Sequence, residues 1–440
     1  MSEATRDPIW QALLRHAGKP RIPHASLMPL RRTLHTLGDP HERLRIVHIA
    51  GSKGKGATAL YLERLLLAHG HRVATFTSPH LEHWRERFRI CGRPAAETPL
   101  REALRRVEAA VQRTPGAGEL RFFERLTAIA FSLFAEATPD WALVETGIGG
   151  RFDATNVVRP ALCIITRIER EHCDVLGESL AEIATHKAGI IKPHTPVVCA
   201  ALPGDALAVV LREAERLKAP VIHAGRDFSF ESVRCGPLRQ RMTYRGRREL
   251  SAEVGVAAPP LVENAVLALA AFEQLGFAVH RRLGEAFAQG LPARCEFLPG
   301  SPGVIIDAAH TPASFAALGH ALSAAQYRRL HLLVACSNER HVRDLGRGLI
   351  ETAQRVVVTR ADRVYTLPPE QMARVLREAR PSLDVRVRAE LAAALTEAAD
   401  GLGEQDLLCI TGSTYLAGRA RALLAQRITP GHPAQGQPAG

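Results

Sequence analysis

The feature that most constrains this chain is its alternation of short apolar runs with helix-length amphipathic stretches. RIVHIAG (45–51), HRVATFTS (71–78), DWALVETG (140–147), PALCIITRI (160–168) and TPVVCAA (195–201) read as buried parallel strands. Helix-like segments at 57–69, 120–136 and 178–188 lie between them. Such βαβ alternation predicts a doubly wound, mostly parallel α/β core whose ligands sit at the carboxyl ends of the strands. A second set follows residue 300: VIIDAAH, HLLVACS, QRVVVTRA and DLLCITGS, separated by helices near 313–325, 341–353 and 369–379. A chain of 440 residues is too long for one core, so this set predicts a second, smaller, Rossmann-like α/β domain. The expected organisation is an N-terminal and central domain over 1–292, a turn-rich hinge at 293–302, a C-terminal domain over 303–427 and a disordered Pro/Gly-rich tail at 428–440.

Composition narrows the function classes. No run approaches ~18 consecutive apolar residues, and the first residues mix charges throughout, so neither a membrane span nor a secretory signal is expected. The eight cysteines are scattered without a CxxC pair, which predicts buried free thiols in a reducing cytoplasm. The net charge of +12 suits anionic partners, but the basic stretches, such as Arg245 to Arg248, have few interleaved aromatics, and no nucleic-acid partner is expected.

The kind of charge says more than its amount. Only six lysines occur among 57 basic residues, and four of them sit in two short motifs, GSKGKG and KAGIIK. Those are places to ask what an amine does that a guanidinium cannot. The first motif runs Gly51-Ser52-Lys53-Gly54-Lys55-Gly56-Ala57-Thr58 between a strand and an amphipathic helix. Glycines let amides turn inward, a helix N-terminus adds its dipole, and Lys55 can reach β/γ-phosphates. The strict GxxxxGK[ST] pattern is not met, and a plain glycine turn has the same composition.

Four further motifs follow in order: Phe76 to Leu81 with Glu86-Arg87; Glu145-Thr146-Gly147-Ile148-Gly149-Gly150-Arg151-Phe152-Asp153-Ala154-Thr155-Asn156; Glu171-His172-Cys173-Asp174; and Lys187-Ala188-Gly189-Ile190-Ile191-Lys192-Pro193. With HIAGSKGKGAT they resemble the dihydrofolate synthases and folylpolyglutamate synthases of the Mur ligase superfamily, over roughly residues 26–425. The resemblance implies a magnesium site of two ions held by Ser78, Glu145, His172 and Lys187. The lysine acts there as a CO2-derived carbamate, which arginine cannot form. It implies ATP contacts from residues 51–58, Asn264, Arg294, Asp307 and His310, folate contacts from Phe123 and Asp153, and catalytic parts for Lys55, His172 and Lys187. Departures from the family pattern are Ala57 for a hydroxyl residue, Ala293 and Ala308 for glycines, and Cys336–His341 in place of an acidic-basic run. Thr58 is the nearest hydroxyl to make good the loss at Ala57.

The activity so implied is ATP-dependent addition of L-glutamate to dihydropteroate or folates through an acyl phosphate, in a cytoplasmic monomer whose domains close on the substrates. Alternatives are a Mur-type ligase for another carboxylate, a P-loop ATPase, and a nucleotide-binding paralogue without ligase activity.

Overall fold

The computed structural model describes residues 7–17, 26–236, 239–255, 259–361 and 366–428. The chain divides into two compact units, one of Met1–Val233, Arg241–Val254 and Pro260–Gln289, the other of Arg234–Gln240, Gly255–Pro259 and Gly290–Gly440.

The first unit is built on an eight-stranded sheet. Its strands are β1 (Ile46–Ala50), β2 (Val73–Phe76), β3 (Phe88–Ile90), β4 (Arg93–Pro94), β5 (Trp141–Glu145), β6 (Leu162–Ile165), β7 (Val197–Cys199) and β8 (Val221–His223), in the order β4-β3-β2-β5-β1-β6-β7-β8. From β2 to β8 all neighbours are parallel, while β3 and β4 turn back antiparallel at one edge. The central strands are buried along their whole length, which is why they read as unbroken apolar runs. The helices Glu97–Arg113, Phe122–Ala137, Leu180–Ala188 and Gly204–Arg216 all pack on one face, the first two over Ile46, Ala142 and Val144 and the last two over Ala50, Cys163 and Ile165, while the helix Lys55–Ala68 packs along β2, β5 and β1. Because β1 lies between β5 and β6, its carboxyl end is a switch point of the sheet, where a crevice is expected. Ile49 pairs with Glu145 and Ala50 with Ile165, so the 51–54 loop leaves β1 beside the end of β5.

Three antiparallel strands, β9 (Ser229–Gly236), β10 (Arg239–Arg245) and β11 (Glu249–Val254), form a separate sheet that the sequence reading did not include. β10 and β11 alternate buried with more exposed residues, as in Leu250, Ala252 and Val254 against Glu249, Ser251 and Glu253, while β9 has no buried residue. The Arg245–Arg248 stretch lies here: Arg245 pairs with Glu231 at 2.7 Å, and the Glu273 carboxylate holds the turn by accepting the backbone amides of Arg247 and Arg248 at 3.0 Å each.

The second unit has six strands, β12 (Glu296–Leu298), β13 (Gly303–Ile306), β14 (Leu330–Val334), β15 (Arg355–Val358), β16 (Asp384–Val387) and β17 (Leu407–Thr411), ordered β12-β13-β17-β14-β15-β16. All neighbours are parallel except the β12–β13 pair. The four anticipated strands are β13, β14, β15 and β17; β12 falls inside the segment read as hinge. The tail read as disordered lies outside the described residues but for Ile428, which ends the last helix, Thr414–Ile428. Five cysteines are buried; Cys91, Cys173 and Cys235 are exposed, against the expectation of buried thiols throughout. Among the described residues no helix is long and apolar enough to cross a membrane.

Candidate active site

The 51–58 segment folds as the sequence predicts, a tight loop running into the helix Lys55–Ala68. Gly54 caps that helix with left-handed backbone (φ 91°), and a β-carbon there would overlap the Asn264 side chain. No side chain caps the first turn, so its amides and dipole remain available to an anion. The Lys55 ammonium arches back over the loop and donates to the carbonyls of Gly51 (2.9 Å) and Ser52 (3.4 Å). The loop is tied to the end of β6 and the segment after it: Ser52 N–H donates to the Arg167 carbonyl, the Ser52 hydroxyl to the Glu169 carbonyl, and the Thr166 hydroxyl to the Lys53 carbonyl. Ser52 is therefore occupied in shaping the loop. Ala57 is buried in the helix, and the Thr58 hydroxyl, also buried, donates to Asn264 Oδ1 at 3.5 Å. Thr58 thus faces Asn264, and not the position the Ala57 substitution left without a hydroxyl.

Glu145 ends β5 at 4% exposure, and its Oε2 accepts the Ser78 amide at 2.9 Å. A methyl on Gly56 would sit 3.3 Å from the same oxygen. The 51–58 loop, the Ser78 loop and the Glu145 carboxylate therefore meet at one point. The Ser78 loop is itself gathered by Glu86, whose carboxylate accepts the amides of Leu81, Glu82 and His83 at 2.7–3.0 Å. Half-buried His80 accepts from Arg87 Nε at 3.0 Å on Nδ1; desolvation, then the Arg87 and His83 charges, push its pKa down to about 3.

Lys187, fully buried near the end of the helix Leu180–Ala188, donates to Glu171 Oε1 at 3.0 Å. Lys53 approaches the other oxygen of Glu171 at 3.6 Å. Burial first, then the Lys55 charge, push the Lys187 amine down to about 8, although Glu171 opposes the shift. Burial would raise Glu171, but Lys187, Lys55 and Lys53 together hold it below the ordinary carboxylate range. Three of the six lysines thus converge on one carboxylate beside the phosphate loop. His172, next to Glu171, is exposed and takes left-handed backbone (φ 48°), a conformation uncommon outside glycine.

The donor chemistry suits a hard cation in part. Glu145 and Ser78 supply oxygen, whereas Lys187 in its ammonium form is a donor and could supply oxygen only after N-carboxylation. Among the described residues no group of three or more His, Cys, Asp or Glu is arranged to hold a metal, so an ion here would draw on Ser78 and a carbamate as well.

The Glu145–Asn156 loop is held by Asp153. Its Oδ2 accepts Gly147 N and Ile148 N, and its Oδ1 accepts Thr155 N, at 3.0 Å each, as well as the Thr155 hydroxyl at 2.5 Å. Because that hydroxyl donates to Asp153, it accepts from His48 Nε2 at 2.8 Å, which fixes the His48 tautomer. Phe123 lies over Gly147, where a methyl would collide with the ring, and stacks on Phe76 at 5.8 Å. The sequence reading passed over Glu171 as a bridge, Glu86, and the His48–Thr155–Asp153 chain. The available signal was a histidine in the middle of an apolar strand.

In the second unit, buried Asp307 follows β13. Its oxygens accept Cys295 N at 2.7 Å and Ala309 N at 2.8 Å; burial raises its pKa while the Arg294 charge opposes this. His310 Nδ1 lies 2.9 Å from the Ala308 carbonyl. Ala293 has left-handed backbone (φ 49°), the conformation a glycine would adopt freely, whereas Ala308 does not. Of the two alanine departures, the strained one is Ala293. At Cys336–His341, Asn338 caps the helix Glu339–Leu349 by accepting the His341 amide at 2.9 Å.

Residues 293–414 match the Mur ligase glutamate ligase domain. A dihydrofolate synthase/folylpolyglutamate synthase of Mycobacterium tuberculosis is 32% identical over 442 residues, covering 91% of this chain and 90% of that one. A probable bifunctional folylpolyglutamate synthase/dihydropteroate synthase of Haloferax volcanii is 32% identical over 421 residues, and the chain spans 48% of its length. The structure of Mycobacterium tuberculosis folylpolyglutamate synthase complexed with ADP superposes with a TM-score of 0.86 at 31% identity, covering 94% of this chain and 96% of that one. With nine tenths of a relative above 30% identity covered, the chain belongs to the dihydrofolate synthase/folylpolyglutamate synthase family.

Proposed function

We propose that this protein is an ATP-dependent ligase that joins the amine of L-glutamate to the carboxylate of dihydropteroate, of a folate, or of both. The observation that carries the reading is the meeting of the phosphate loop, Glu145 and the Lys53–Lys55–Lys187 cluster around Glu171.

A carboxylate is a poor electrophile, so phosphoryl transfer from ATP would convert it to an acyl phosphate, releasing ADP. Lys55 and the first-turn amides are suited to bind and align the β- and γ-phosphates. The glutamate amine would then attack the acyl carbon, form the C–N bond and lose a proton as inorganic phosphate departs. Magnesium, held by Ser78, Glu145, His172 and N-carboxylated Lys187, would supply charge neutralisation on the triphosphate. N-carboxylation requires the neutral amine: its lone pair forms the N–C bond to CO2 and one proton is released. A buried amine pushed down to about 8 is suited to that. Phe123 and the Asp153-held loop are assigned to the pteroate side, and Asn264, Arg294, Asp307 and His310 to the nucleotide, by resemblance.

The test is ADP release and product mass with glutamate plus dihydropteroate or tetrahydrofolate. A glutamate-dependent mass increase supports the reading. ATP turnover that ignores both acceptors, or that responds only to UDP-linked muramoyl acceptors or to nucleic acid, rejects it.

A further inference from the structure

We infer that Trp10, on the N-terminal helix Pro8–Leu14, is a positioning residue that sets the spacing between the Ser78 loop and the Phe122–Phe123 wall, an inference that rests on the ligase reading for its effect on substrate. Asp7 caps that helix by accepting the Ile9 amide on Oδ1 at 2.8 Å, and on Oδ2 it accepts the Trp84 indole N–H at 2.8 Å. One carboxylate thus ties the helix to the Trp84–Arg87 turn. Trp10 stacks on Trp84 (5.6 Å, 15°) and presents edges to His80 (5.2 Å, 86°) and Phe122 (5.3 Å, 73°). The buried Arg87 guanidinium lies 5.6 Å from the Trp10 ring and 5.9 Å from Phe122 while donating to His80.

These contacts join two parts of the site. His80 follows Ser78 by two residues, and the Ser78 amide is bound to Glu145. Phe122 precedes Phe123, the ring over Gly147. Trp10 is itself buried, so it acts through its neighbours and does not touch the reactants. An interior packed this densely transmits a lost ring as a shift of whatever it separated.

Trp10→Ala should raise KM for the pteroate-bearing acceptor about tenfold while KM for ATP stays within about twofold. Trp10→Phe, which retains ring edges toward His80 and Phe122, should restore most of the loss. Leu13→Ala, a buried truncation on the same helix, is the control for general loosening. Hydrogen exchange of the Leu81–His83 amides gives a readout free of turnover: it should quicken about tenfold in Trp10→Ala and not in Trp10→Phe or Leu13→Ala. Equal effects of Trp10→Ala and Leu13→Ala, or unchanged exchange in Trp10→Ala, would overturn the positioning role. Absence of ligation by the unmodified protein would defeat the function reading, while the exchange data still decide on Trp10. If the alanine variant does not fold, Trp10→Leu is read by the same criteria.

Discussion

Lys187 shows how much one buried side chain can change its own chemistry. At an ordinary lysine pKa an amine is about 0.03–0.04% neutral at pH 7, whereas a pKa near 8 leaves about 10% neutral. That gain of roughly 300-fold in the reactive form is what attack on CO2 needs, and arginine cannot offer it. Lys187→Ala and Lys187→Arg should each lower turnover by about a hundredfold or more. Labelled bicarbonate should mark the unmodified protein at this residue and neither variant. Near-normal ligation by the arginine variant would reject the carbamate. The sign for stability follows from the same shift. Below about pH 8 the folded and unfolded forms are both protonated; between roughly pH 8 and 10.5 the unfolded form binds more protons, so Lys187's contribution to stability rises with pH across that window. Gly54 makes the complementary point about backbone. Gly54→Ala combines left-handed strain of about 1–2 kcal/mol with overlap onto Asn264, and titration calorimetry should show ATP affinity falling at least tenfold. Adding Asn264→Ala relieves the overlap and not the strain, so it should recover part of any lost folding stability but not the ATP affinity, to which Asn264 is itself assigned.

At the scale of elements, single acids hold loops within each unit: Glu86 gathers 81–83 and Asp153 gathers 147–155 in the first, and Asp307 gathers 295–309 in the second. Asp153→Asn turns one acceptor into a donor among N–H and O–H groups that already donate. It should lower stability by about 1–3 kcal/mol in urea denaturation. A rise in acceptor KM should accompany it. Ala293→Gly should stabilise by about 1 kcal/mol, since it removes a left-handed alanine at some gain in unfolded-chain entropy. These loops explain what could be read beforehand. β1, β5 and β6 are buried on both faces and announce themselves as apolar runs, and GSKGKG marks the glycine turn between β1 and a helix. β9 to β11 are half-exposed and carry polar or charged residues throughout, and β16 (DVRV) is short with an exposed Asp384, so neither gives an apolar run to find. Glu171 was hidden for another reason. In sequence it is one more acid beside His172, and only the fold brings it to Lys187, 16 residues on.

Across the whole molecule, charge is distributed in two ways. Most of the +12 excess is arginine, and many of these side chains are engaged locally, as in Arg241–Glu253, Arg245–Glu231, Arg329–Asp406 and Arg374–Glu339. Three of the four lysines of the two motifs, Lys53, Lys55 and Lys187, instead share the field of a single carboxylate, Glu171, while Lys192 donates to Asn156. A polyanion should therefore find its strongest local field at the phosphate loop and not over the surface at large. This makes a thermodynamic prediction for the intact chain. A ligand that binds only the folded state at about 100 times its Kd adds about 2.7 kcal/mol, several degrees in the unfolding midpoint. Mg-ATP should produce that shift in a thermal scan. Excess EDTA should remove most of it, because Lys55 alone cannot offset the charge of a triphosphate, and Lys55→Ala should remove it even with magnesium present. Equal shifts with and without the metal, or a full shift in Lys55→Ala, would mean that the nucleotide is held elsewhere, and the loop at residues 51–58 would lose its assigned part.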